Sequence, residues 1–99
     1  MALTEKQKKY LRRLAHPLNP LVMLGQSGLT DNIVKETDRA LNDHELIKVS
    51  ARIGDRETRD AAFASLTRLT ASELVQRVGN VAVLYRHGGG LPKVVLPDH

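Results

Sequence analysis

Between Leu46 and Ile53 the chain alternates with a period of two, Ile47, Val49, Ala51 and Ile53 being separated by Lys48, Ser50 and Arg52. Successive side chains of a strand point to opposite faces, so this pattern predicts a strand in a sheet with one buried face and one wet face. The flanking segments have helical spacing instead. Ile33, Val34, Ala40 and Leu41 supply the apolar positions of a helix capped by Thr30 and ending near Asn42 to His44. Ala62, Phe63, Leu66 and Leu69 do the same for a helix capped by Asp55 and ending near Thr70. A strand set between two helices pairs with parallel neighbours through right-handed crossovers, which restricts the chain to α/β architectures.

The remaining segments extend this frame. Thr4 and Gln7 make the Thr-x-x-Gln spacing of a capping box, and the helix it starts runs to His16, where Pro17 stops it. Leu3, Tyr10, Leu11 and Leu14 share one side of that helix, while Lys6, Lys8, Lys9, Arg12 and Arg13 spread over the other. Pro17 and Pro20 then force an extended passage into Leu21–Leu24, an apolar run of strand length that Gly25-Gln-Ser-Gly28 breaks. Near the C-terminus, Glu73–Val78 and Val81–Arg86 flank Gly79-Asn80, the linker of a tight antiparallel hairpin. Lys93–Leu96, between Pro92 and Pro97, reads as a short extra strand or an edge tail. The expected fold is a single α/β domain over residues 1–99, in the order α-β-α-β-α-β-β. Its sheet is mixed and four-stranded with helices chiefly on one face, and residues 86–99 form an extended tail or an edge strand.

Composition narrows the function. With 99 residues and no cysteine, one core must hold by packing alone, and thiolate metal sites are excluded. No apolar run reaches the ~18 residues of a membrane span, and Met1–Ala15 is basic and amphipathic where a secretory signal needs an apolar stretch, so cytoplasmic residence is expected. The net charge of +4 lies in that first segment, where five basic residues face Glu5 alone; the rest of the chain is neutral. Like charges at helical spacing carry a cost that a bound polyanion offsets. A solvated outer face or a membrane-surface helix has the same pattern, but a membrane helix needs the apolar stripe that the core here consumes.

Catalysis has little to work with. His16, His44, His87 and His99 are scattered without metal-ligand spacing, and His44, between Asp43 and Glu45, sits where a histidine suits a helix C-terminus. Asp55-Arg-Glu-Thr-Arg59 is the acidic first turn expected of a capped helix. No catalytic residue, metal ligand, cofactor or small-molecule substrate is therefore assigned. Gly25-Gln-Ser-Gly28 is different in kind: a Gly-x-x-Gly pair arises by chance in roughly half of chains this long, but between a strand and a helix its backbone can approach phosphates. It is too short for a Walker loop and lacks the following Gly-Lys-Ser/Thr. An ordinary tight turn remains the alternative. Tyr10, Phe63 and Tyr85 are the only aromatics, which leaves no platform for stacking successive bases and favours recognition of shape through phosphate and sugar.

Leu21-Val-Met-Leu-Gly-Gln-Ser-Gly-Leu-Thr30, His44-Glu-Leu-Ile-Lys-Val49, Asp55-Arg-Glu-Thr58 and Val83-Leu-Tyr-Arg86, taken together, resemble the bacterial stand-alone CRM domain, the YhbY-type RNA-binding family. The resemblance runs from the first helix to Arg86, and four separated motifs make it far more specific than the glycine pair. It implies a fold similar to the C-terminal domain of translation initiation factor three, association with precursors of the large ribosomal subunit, and an RNA-contacting role for Gly25, Gln26, Ser27 and Gly28. It also leads one to expect a more basic segment than Gly88–Gly90. The resulting expectation is a monomeric, non-enzymatic module that binds structured ribosomal RNA and assists large-subunit assembly. Lys6, Lys9, Arg12 and Arg13 neutralise phosphates, the glycine loop presents backbone amides, and Arg52, Arg56 and Arg86 extend the surface. The alternative is an adaptor that docks on ribosomal or assembly proteins.

Overall fold

The computed structural model describes residues 3–88 and 92–98. They form α1 (Glu5–Ala15), β1 (Val22–Leu24), α2 (Asp31–His44), β2 (Leu46–Ala51), α3 (Arg56–Thr70), β3 (Glu73–Val78) and β4 (Val81–Tyr85). The four strands make one sheet in the order β1-β2-β4-β3. β1 runs parallel to β2, while β4 is antiparallel to both β2 and β3.

Local chemistry sets the boundaries. Thr4 and Gln7 form a reciprocal capping box, and the side chains of Thr30 and Asp55 accept from the amides of Ile33 and Thr58. In the hairpin, Gly79 takes a φ of +60° at the first turn position, a conformation that favours glycine. A β-bulge interrupts the β3–β4 register between Leu74 and Gln76.

Two cores lie on the two faces of the sheet. On the first, Leu24, Ile47, Val49 and Leu84 pack against Leu41 of α2 and Phe63 and Leu66 of α3. On the second, Leu11 and Ala15 of α1 pack against Leu46, Val75, Val83 and Tyr85. The wet face expected from β2 is therefore largely covered, and Ser50 is buried with Lys48 half-buried. The alternation correctly separated two faces, but not which of them a distant helix would cover.

Two expected core positions are on the surface. Leu14 and Leu69 are 38% and 56% exposed, and the helix faces bury Gln7 and Thr70 in their place. A helical arc of apolar residues is wider than the line along which it meets a sheet, so positions at its margin are settled by the partner. Lys93–Leu96 is not a strand; Val94 and Leu96 instead pack onto the second core. Gly88 is described, whereas Gly89, Gly90 and His99 lie outside the described residues.

Candidate nucleic-acid interface

α1 carries its cations into open surface. Lys8 reaches Glu5 at 4.0 Å, but Lys6, Lys9, Arg12 and Arg13 have no carboxylate within ion-pair distance among the described residues. Arg12 and Arg13 also occupy the last turn, where they favour the helix dipole. Around these side chains the surface is concave. One open depression, about 660 Å³, is lined by Lys9, Arg12, Arg13, His16 and Gln76. A second, about 280 Å³, is lined by Lys6, Lys9, Tyr10, Arg13 and Pro97. The Lys48 ammonium donates to the His16 carbonyl at 3.2 Å, adding a strand-borne cation at the end of the helix.

The glycine loop stands at the C-terminal end of β1. Its turn is closed by the Gly28 amide donating to the Gly25 carbonyl at 2.9 Å. The amides of Gln26 and Ser27 have no hydrogen-bond partner among the described residues. Gly28 sits at φ +70°, and a Cβ built on either glycine meets nothing within 4 Å. The loop is thus an exposed turn with two unpartnered amides among the described residues, which an anionic backbone can approach closely.

Arg52 is placed beside it, because its amide donates to the Leu24 carbonyl at 3.0 Å. Arg56, at the start of α3 on the same end of the sheet, is exposed and lies 3.8 Å from Asp60. The cap beneath it is a carboxylate: hydrogen bonds from the Thr58 amide and hydroxyl hold Asp55 ionised below its ordinary range. This negative cap disfavours phosphate at the α3 N-terminus, so Arg56 has to act alone.

Arg86 is elsewhere and occupied. Its guanidinium donates to Asp38 Oδ1 (2.6 Å), the Thr70 carbonyl (2.7 Å), the Asp38 carbonyl (3.0 Å) and Asn42 Oδ1 (2.8 Å). It joins β4 to α2 and to the end of α3, leaving its side chain 17% exposed.

The basic helix and the loop share one end of the sheet. Leu24 lies opposite Ala51 and Ser50 opposite Val81, so the β1 terminus and the hairpin turn are at the same end. The C-terminal turn of α1 reaches that end too, since Arg12, Ala15 and His16 line a cleft with Val78 and Val81. α1 packs over β2 and β3, whereas the loop follows edge strand β1. The C-terminal turn of α1 and the loop thus lie at one end of the domain, with Lys48 of β2 and His16 at the helix end and Gln76 on the far edge strand β3. Sequence reasoning passed over these three residues. Lys48 and Gln76 looked like ordinary polar positions of strands, and nothing local signals that α1 folds back over them.

Comparison with known proteins gives a consistent picture. The CRS1 / YhbY (CRM) domain family model matches residues 3–86. An RNA-binding protein of Haemophilus influenzae is 49% identical over 84 residues, 85% of each chain. A Bacillus subtilis protein named "Probable RNA-binding protein YqeI" is 39% identical over 95 residues, 96% of this chain and 99% of its own. The solution structure of a hypothetical protein from Staphylococcus aureus superposes with a TM-score of 0.84 at 38% identity, covering 97% of this chain and 100% of that one.

Proposed function

The chain belongs to the CRS1 / YhbY (CRM) domain family, and from that premise we propose that it is a non-enzymatic RNA-binding module that grips the phosphate backbone of structured RNA. The ligand in this reading is ribosomal RNA of the large-subunit precursor, as the family resemblance implies. One observation carries it: four cations of a single helix, free of carboxylate partners among the described residues, gather around open depressions along α1, whose C-terminal turn reaches the end of the sheet that bears the glycine loop. Lysine and arginine release counterions from the phosphates, the Gln26 and Ser27 amides donate to a phosphate oxygen, and Arg52 lies alongside.

Titrating purified protein with naked ribosomal RNA at several salt concentrations tests this. Affinity should fall steeply with salt, and replacing Lys9 and Arg12 together by alanine should lessen the slope of log K against log salt by about two. An unchanged slope removes α1 from the interface.

The loop is tested by Gly28→Asp. Aspartate tolerates positive φ at a cost of about 1 kcal/mol, so the fold survives while a negative charge now stands where the phosphate approaches; affinity should drop by about tenfold. Undiminished binding by the folded variant sinks the loop assignment.

Docking on another protein has one observation in its favour, the exposure of Leu21 and Met23 along edge strand β1. Failure to bind naked RNA, combined with capture by ribosomal or assembly proteins, would move the reading there. Binding to anionic vesicles instead would identify α1 as a membrane-surface helix.

A further inference from the structure

The cleft at the end of α1 has a chemistry different from the depressions around it. It encloses about 360 Å³, within the range of about 300–1,000 Å³ typical of small-ligand sites. Val81 and Val83 give it an apolar floor, Arg12 and Lys48 line it with cations, and His16 and Gln76 add polar side chains. No carboxylate lines it among the described residues. It also opens onto the basic depression, sharing Arg12, His16 and Gln76 with it.

We propose that this cleft receives a single unpaired nucleotide of the bound RNA, with its base on the valine floor against the Gln76 amide and its phosphate at Arg12 and Lys48. The inference rests on the RNA-binding reading and adds a site that reads a base. Phosphate contact alone explains the depressions but not the apolar floor of the adjoining cleft, and a peptide side chain would not call for two cations around one apolar slot. The β-bulge supplies an independent argument. Val75 packs into the second core, yet the next residue, Gln76, lies opposite Val83 and lines the cleft on the same face. An unbroken strand would send these two side chains to opposite faces, so the bulge is what aims the amide at the cleft. That amide has no protein partner among the described residues, and it carries both a donor and an acceptor, the combination that pairs with an adenine edge. Lys48 gives one proton to the His16 carbonyl and keeps two for a phosphate. A base stacked inside a helix cannot enter such a slot, so the ligand must be a bulged, looped or terminal nucleotide.

Three fluorescent RNA hairpins with one common stem test the proposal: fully paired, with one bulged adenosine, and with an abasic residue at the bulge. The protein should bind the adenosine bulge about tenfold more tightly than the other two, near the low end of what a hydrogen-bonded base contributes. Val81→Phe, which fills the floor, and Gln76→Ala, which removes the amide, should each reduce that preference to within about twofold while the salt slope stays unchanged. Gln76→Ala changes a half-buried side chain outside both cores, so it keeps the test decisive if Val81→Phe fails to fold. Equal affinity of the wild-type protein for all three hairpins overturns the inference and leaves the phosphate-binding reading intact. A bulge preference that persists in both variants also overturns it, by locating base recognition elsewhere. If none of the hairpins binds, the RNA-binding reading falls and this inference falls with it.

Discussion

Replacing Arg86 by alanine is expected to destabilise the domain by about 3 kcal/mol while leaving the salt slope of RNA binding by the folded fraction unchanged. The guanidinium makes four hydrogen bonds, two of them to the backbone carbonyls of Asp38 and Thr70, and through them holds the end of β4 to α2 and to the end of α3. Removing it leaves the Thr70 carbonyl at a helix C-terminus without this donor and Asp38 without its counterion. Lysine should recover only part of the loss, since an ammonium cannot span acceptors on two helices as a planar fork does. Denaturant unfolding and an RNA titration on the same samples decide the matter. Wild-type stability with weakened RNA binding would show that Arg86 belongs to the interface.

Glu45→Ala should have an effect of similar size by a different route. Glu45 is 1% exposed and follows α2 at a φ of +65°, in the left-handed region that non-glycine residues avoid. Its carboxylate accepts from the amides of Gly88 (2.7 Å), Lys93 (2.8 Å) and Val94 (3.0 Å), with His87 Nδ1 at 3.4 Å. Alanine is as strained as glutamate at this backbone position, so the comparison reads the carboxylate itself. The expected cost is about 2–3 kcal/mol, because the orphaned amides must either stay buried or go to water with the tail. Hydrogen exchange should show it first at Val94 to Leu96, which otherwise pack on the second core beside α1. Burial opposes ionisation of this carboxyl, but the donations of Gly88, Val94 and Lys93 and the neighbouring His87 outweigh it, so its pKa lies below the ordinary 4.5. A carboxyl depressed in the folded state contributes stability that is fully present above the unfolded value and lost as pH falls through the folded one. Acid should therefore release the tail below about pH 4.5 in the wild-type protein, and this part of the acid sensitivity should vanish in Glu45→Ala. Equal acid profiles for the two proteins would refute the latch.

The tail also bears on function. The Gln7 side chain donates to the Pro97 carbonyl at 3.0 Å, and Pro97 lines a basic depression with Lys6, Lys9 and Arg13. A carboxylate at the end of α2 thus sets one border of the surface that α1 offers to RNA. The sequence marks Gln7 as a capping-box residue and Glu45 as a charge beside His44, but nothing local signals that either will hold the tail.

What the sequence determined by itself is what short-range chemistry controls. The caps at Thr4, Thr30 and Asp55, the turn at Gly79-Asn80, the alternation of β2 and the loop between β1 and α2 each depend on residues within a few positions of one another. The order of these elements sufficed for a mixed sheet with parallel crossovers, because few connections are physically available to it. The charge of α1 was legible for the same reason. Tertiary structure decided where that charge stands and which cations are free to use it. Arg52 and Arg86 are indistinguishable as residue types, yet one flanks the glycine loop and the other is consumed by α2 and α3. Lys48 and His16, 32 residues apart, meet because α1 folds back over the face that β2 alone would have left to solvent. Hydrophobic burial is indifferent to direction and distance along the chain, so periodicity can mark an apolar face but cannot say what will cover it, nor which polar groups will line the gap that remains.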